Sequence, residues 1–262
     1  GDVYKRQVKN RYLLLPVQER EDNATIKVLS DNQQVQKLNV RLAVDKVDYY
    51  VPLDIQRFGS SEVLLDIFFH GDRRFTGAMK DFLCWKEMKL SDTFDTANRE
   101  KFRPAYHHTP AYGWMNDPNG FSFHDGQYHL FYQYHPYDSH WGPMHWGHVK
   151  TKDFISWERM PIALAPDSEA DYSGCFSGGA VELPDGRHLL MYTGVRKEGG
   201  DLGEEVQTQC VAVGDGLDRL EAVLAGAQEA QGLLQQSGLG GDGLLQPVAG
   251  HAALGFALGQ KD

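Results

Sequence analysis

From residue 38 the chain alternates. Leu38, Val40, Leu42 and Val44 are separated by Asn39, Arg41 and Ala43, and after Asp45-Lys46 the pattern resumes through Val47, Tyr49, Val51, Leu53 and Ile55. A period of two sends one face of a strand into a core and the other into water. Val63 to Phe69 is a denser apolar run, ended by His70-Gly71-Asp72, and predicts another strand. Pro52 cannot donate to a ladder, so its strand is expected at a sheet edge or a bulge. Together these runs predict a small antiparallel β-sandwich over residues 1–90. Residues 91–106 are polar and mixed and predict a linker that docks on its neighbours.

Residues 107–218 carry a hairpin pattern. Phe121-Ser122-Phe123, a turn at His124-Asp125-Gly126-Gln127, and the run from Tyr128 to Tyr134 form a strand-turn-strand unit with an Asp-Gly turn. Ala180 to Leu183, Pro184-Asp185-Gly186, and His188 to Thr193 form a second. Repeated short antiparallel strands with aromatic punctuation are the pattern of propeller blades. After Asp218 the texture changes to Gly, Ala, Leu and Gln, with Phe256 as the sole aromatic. Leu220, Val223, Leu224 and Ala227 have helical spacing, interrupted by Gly226 and Gly232. Residues 219–262 are therefore expected to be a flexible or weakly helical tail, where a propeller would continue with strands. A reading frame lost near Asp218 is the sharper explanation of that change.

Composition narrows the function classes. The 262 residues, 41% hydrophobic, suffice for one large or two ordinary domains. A formal net charge of -10 and the lack of a basic stripe argue against nucleic acid. They fit a neutral ligand such as a carbohydrate without selecting it. Cys84, Cys175 and Cys210 are odd in number and widely spaced, which suggests neither a disulfide framework nor a zinc knuckle. No apolar run reaches the length of a membrane span. With no starting Met and no signal peptide, the natural start is expected to be missing, and the compartment is not read from this end.

The candidate chemistry sits in Trp114-Met115-Asn116-Asp117-Pro118-Asn119-Gly120. Asp117 is fenced by turn-forming residues, and a stiff turn could hold its carboxylate at a fixed angle. Trp114 offers a flat apolar surface of the kind sugars stack on. His140, His145 and His148 invite a metal reading, but their spacing is not that of a helical pair, and structural histidines are expected, with no metal and no cofactor. Asp167, Glu169 and Asp171 read as solvated charge in a loop, and Glu204-Glu205 as an exposed charge run.

Asn116-Asp117-Pro118-Asn119-Gly120 resembles the nucleophile motif of glycoside hydrolase family 32, the invertases, inulinases and levanases. Further stretches follow in the family's order: Leu130 to Pro136, Trp141 to His148, Trp157 to Pro166 and Cys175 to Ala180. Several ordered motifs are far more specific than one short pattern. The sandwich before them resembles an accessory N-terminal domain of some bacterial members. The resemblance implies a five-bladed β-propeller and hydrolysis of β-fructosides such as sucrose, inulin or levan with retention. By position, Asp117 would be the nucleophile, and Asn116, Gln133, Trp141, Phe176 and Ser177 would line the pocket for the terminal fructosyl unit. Trp146 is expected to be structural.

The expected fold class is thus all-β: an N-terminal β-sandwich, an incomplete five-bladed β-propeller, and an anomalous tail that is not propeller. One departure from the family stands out. Its Arg-Asp-Pro motif and the Glu-Cys motif carrying the acid/base are absent from these residues. A retaining glycosidase needs both carboxylates, about 5 Å apart. A non-catalytic fructan-binding remnant therefore stays open beside the hydrolase. So does a related propeller enzyme, either a family 43 arabinosidase or xylosidase or a levansucrase-type fructosyltransferase. The expected partner is a carbohydrate, with no nucleic acid and no membrane span. Oligomeric state is not read from the sequence, and an extracytoplasmic location is implied by resemblance alone.

Overall fold

The computed structural model describes residues 2–71, 79–96, 103–200, 203–214 and 221–223, with residues 2–7 and 221–223 described by their backbone. They divide into two compact units. The first takes Gly1–Asn116 with Tyr134–His145 and Ala165–Ser168, and the second takes Asp117–Gln133 with Trp146–Leu164 and Glu169–Asp262.

In the first unit the strands are β1 (Asp2–Gln7), β2 (Tyr12–Val17), β3 (Ala24–Ser30), β4 (Gln33–Val40), β5 (Tyr49–Asp54), β6 (Glu62–Phe69) and β7 (Lys89–Ser91). They build a four-stranded sheet in the order β1-β6-β3-β4 and a three-stranded sheet in the order β5-β2-β7, with antiparallel pairing. Alternate residues of both sheets meet in one core. Ile26, Val28, Leu38, Leu65 and Ile67 come from the larger sheet, and Leu13, Leu15, Val51 and Leu53 from the smaller. Pro52 lies on β5, an edge strand, where its missing N–H removes no ladder bond.

The alternation expected from Leu38 to Val44 stops early. β4 ends at Val40, Leu42 makes only an isolated bridge to Val17, and Leu42 and Ala43 are both buried. A chain leaving a sheet no longer turns successive side chains to opposite faces, so Ala43, expected toward water, packs inside. Residues 134–145 join this unit through Tyr137, which packs in its core. The buried amide of Gln36 donates to the Tyr137 hydroxyl at 2.9 Å, as a polar group inside an apolar core requires. Arg41 pairs with the buried Asp138 at 3.2 Å.

Two sheets that follow the chain lie mostly in the second unit, while their residues 114–116, 134–135 and 145 fall in the first. β8 (Trp114–His124), β9 (Gln127–His135), β10 (His145–Thr151) and β11 (Glu158–Arg159) lie in the order β11-β10-β9-β8, and β12 (Gly174–Glu182), β13 (His188–Glu198), β14 (Glu204–Gly214) and β15 (Glu221–Val223) in the order β12-β13-β14-β15. The hairpin between β8 and β9 closes through Asp125 (φ 46°) and Gly126 (φ 74°). Two successive positive φ values are those of a type I′ turn, whose twist matches the flanking strands. Phe131, Trp146, Leu164, Cys175, Leu190, Tyr192, Cys210 and Ala212 form the core of this unit. Cys84, Cys175 and Cys210 are all buried. Among the described residues neither sheet closes on itself.

The helical spacing around Leu220 does not decide the structure there. Glu221–Val223 is a strand, paired antiparallel with Val211–Val213. The free edge of β14 offers a ladder, whereas a short helix interrupted by Gly226 and Gly232 has little to stabilise it. The remaining expectations for the tail fall outside the described residues.

Candidate functional site

The stretch expected to be a stiff turn is instead extended. Asn116 to Gly120 lie within the eleven-residue strand β8. Turn-forming residues are weak signals when an edge position can absorb them, because strand preference follows from pairing more than from residue type. β8 is the edge of its sheet, so Pro118 is tolerated there. Gly120 supplies the one left-handed backbone, φ 49°, at a point where a Cβ would stand 2.9 Å from the Phe131 ring and 3.1 Å from Ala180. The aim of Asp117 is therefore set by strand register and not by a bend.

Asp117 is exposed, and the Ser177 hydroxyl donates to its Oδ2 at 2.9 Å. The reason Ser177 can do so lies in β12. Phe176 pairs with Thr193 and Gly178 with Tyr192, which leaves Ser177 as the extra residue of a β-bulge. A bulge re-aims one side chain out of the alternating pattern. The residue after it must be glycine, since a Cβ at Gly178 would fall on the Met191 carbonyl.

Two further expected residues lie on strands of the same unit. Gln133, on β9, is 3% exposed and its Nε2 donates to the Cys175 carbonyl at 2.9 Å. Phe176 is half-buried, and its carbonyl accepts from Trp146 Nε1 at 3.1 Å. Trp146 itself is fully buried in the core. Asp117, Gln133, Phe176 and Ser177 thus lie on β8, β9 and β12 of the second unit, and of these the Asp117 and Ser177 side chains meet. Asn116 and Trp141 fall in the first unit. There Asn116 Oδ1 accepts from Trp114 Nε1, and Trp141 is 54% exposed.

The histidines weighed for a metal do not converge. His140 bonds Asp138, His145 approaches the Pro143 carbonyl at 3.1 Å, and His148 lies 3.0 Å from His129. Burial lowers the pKa of His148 to about 3 and that of His135 to about 4, so both are neutral imidazoles near neutral pH. The acidic loop needs correction. Asp171, expected in solvent, is 1% exposed and accepts from the Tyr192 hydroxyl at 2.8 Å. Asp167 pairs with Arg57 at 3.2 Å. A carboxylate can be buried where the fold supplies donors, and nothing in its sequence neighbours announces them. Burial and then the nearby Cys175 and Asp171 raise the Tyr192 pKa, so its hydroxyl keeps the proton it donates. Glu204 and Glu205 are exposed at the start of β14. Sequence reasoning passed over one grouping, His124, Glu182 and His188. They are too far apart in the chain for any spacing rule to join them.

Asp117 is thus an exposed carboxylate held by a hydroxyl from a neighbouring sheet. Residues 107–223 match the model described as Glycosyl hydrolases family 32 N-terminal domain, so the family likeness is carried by this part of the chain. Residues 2–106 match a family described as Domain of unknown function (DUF4980). The chain is 50% identical over 117 residues to a sucrose-6-phosphate hydrolase of Zymomonas mobilis, a match covering 44% of this chain and 22% of that protein. It is 57% identical over 82 residues to a levanase of Bacillus subtilis, covering 31% and 12%. Among solved structures it is similar to the GH32 β-fructofuranosidase of Bombyx mori, with 45% identity, a TM-score of 0.43, and coverage of 48% of this chain and 26% of that one. The matched part thus spans less than a third of each relative's length.

Proposed function

We propose that this chain supplies the nucleophile-bearing part of a retaining β-fructoside hydrolase acting on sucrose, inulin or levan. The observation that carries the reading is the bond from Ser177 Oγ to Asp117 Oδ2. It holds one carboxylate oxygen. Among the described residues the other oxygen has no hydrogen-bond partner, which suits attack on an anomeric carbon. Names of the matched relatives, a sucrose-6-phosphate hydrolase and a levanase, support the substrate class. In this reading the two four-stranded sheets are the first blades of a five-bladed propeller spanning residues 107–218, after a sandwich over 1–90 and a linker over 91–106.

The chemistry divides between residues. Asp117 attacks the fructosyl carbon and forms the covalent intermediate, and a second, protonated carboxyl releases the leaving oxygen. That donor belongs to the family's Glu-Cys motif, which these 262 residues do not contain. Within the second unit Gln133 and Ser177 hold sugar hydroxyls, while Phe176 covers the apolar face of the ring. Action outside the cytoplasm is part of the same proposal, since polymeric fructans are met there.

The test is fructose release by the intact gene product with Asp117→Asn. Loss of a covalent nucleophile is expected to lower kcat at least about 10³-fold. Turnover that survives the substitution removes the assignment. If the unaltered protein binds fructo-oligosaccharides by calorimetry yet releases no reducing sugar, the non-catalytic binding remnant is the correct reading instead. Inverted product stereochemistry by NMR would point to a family 43 type of enzyme.

A further inference from the structure

We propose that His124, Glu182 and His188 form a binding site for a divalent transition metal of the zinc type, where three strand ends of the second unit meet. His124 is the last residue of β8, Glu182 the last of β12 and His188 the first of β13. Glu182 and His188 are direct partners in the β12–β13 register. One ligand atom from each of the three lies within 4.8 Å of the others. His124 Nδ1 is 3.2 Å from a Glu182 oxygen, and the His124 and His188 rings stand edge to face with centroids 4.5 Å apart. Tetrahedral bonds of about 2.1 Å place ligand atoms about 3.4 Å from one another. Side-chain rotation of His124 and the exposed Glu182 can close that gap with the strands unmoved.

A second observation points the same way. His188 is completely buried, and neither of its ring nitrogens has a hydrogen-bond partner among the described residues. A neutral imidazole carries one N–H donor and one acceptor. Buried polar atoms are nearly always paired, and an exception asks for a reason, such as an ion. A metal takes up the acceptor nitrogen of His188 and replaces the weak His124–Glu182 contact with two strong bonds. No other set of three histidine, cysteine or acidic side chains comes together in this way among the described residues.

The donor set selects the class of ion. Two imidazoles and one carboxylate suit zinc or its neighbours and leave a fourth position for water. Magnesium and calcium prefer oxygen donors throughout. His124 lies seven residues beyond Asp117 on the same strand, about 20 Å away at the rise of a β-strand. The ion would therefore not touch the substrate carbon. It would tie the end of β8 to the β12–β13 hairpin, and the proposal does not depend on the fructoside reading.

The experiment is titration of the purified, chelator-treated chain with cobalt(II) chloride at pH 7.5, followed by visible absorption and by competition with zinc sulfate. The unaltered chain is expected to bind one cobalt ion with the visible bands of a four-coordinate site, and equimolar zinc is expected to abolish them. Glu182→Ala and His124→Ala, both outside the deep core, should each weaken cobalt binding at least about tenfold with unchanged far-ultraviolet circular dichroism. His188→Gln should abolish the bands, and the two exposed-side variants keep the test decisive if that protein misfolds. The proposal is overturned if the unaltered chain shows no such bands. It is equally overturned if the bands and affinity persist in Glu182→Ala and His124→Ala, which would mark ions held by histidines elsewhere.

Discussion

Ser177 Oγ donates to Asp117 Oδ2 at 2.9 Å although the two residues stand 60 positions apart. The contact exists because a bulge in β12 turns one side chain out of register, toward a strand of the neighbouring sheet. Replacing Ser177 by Ala keeps the backbone and removes the donor. A hydrogen bond to a charged group is worth about 1.5–3 kcal/mol, so kcat for fructose release by the intact gene product should fall about 10- to 100-fold. KM should change less, and thermal unfolding should be nearly unaltered because Ser177 is exposed.

The bulge itself can be probed at the two glycines that follow. A Cβ at Gly178 would collide with the Met191 carbonyl, which belongs to the β-sheet backbone, whereas nothing lies within 4 Å of a Cβ at Gly179. Gly178→Ala should destabilise the second unit by about 3 kcal/mol, read from the midpoint of urea unfolding. Gly179→Ala should stay within about 0.5 kcal/mol of the unaltered protein. Equal effects at the two positions would show that the register is not as described.

Tyr192→Phe removes the hydroxyl that donates to the buried Asp171 carboxylate at 2.8 Å. The shape of the core is kept, but a buried acceptor loses a donor. A loss of about 2 kcal/mol is expected, measured by chemical denaturation at neutral pH.

Acid should weaken the first unit through His135. Burial is the main cause of its lowered pKa, about 4, and Asp138 and the Pro143 carbonyl only partly offset it. The unfolded chain binds the proton near pH 6.5 and the folded chain only near pH 4. Stability is therefore complete above pH 6.5 and declines as pH falls toward 4, by about 3 kcal/mol in all from this group. Below that both states are protonated and the contribution levels off. Urea midpoints across pH 4–7, compared between the unaltered protein and His135→Gln, check both the sign and the window.

Much of the architecture is visible in local pattern. Strands over Val63 to Phe69, the Asp125-Gly126 turn and the edge position of Pro52 follow from periodicity and backbone chemistry that act within a few residues. Other features are not. Ala43 is buried because the chain leaves the sheet after Val40, and Glu221–Val223 is a strand because β14 has an open edge. Neither fact is written in the residues concerned.

The sequence by itself determined the all-β character, the hairpins of the second unit and an ordered set of motifs that resembles a known family. Only the tertiary structure decided that Asp117 sits in an extended edge strand, that Ser177 reaches it, that Asp171 is buried, and that His124, Glu182 and His188 share one corner. The division has a physical cause. Side-chain alternation and turn preference are set by a residue and its near neighbours. Contacts between strands depend on register, and one bulge is enough to redirect a side chain across 60 residues of chain.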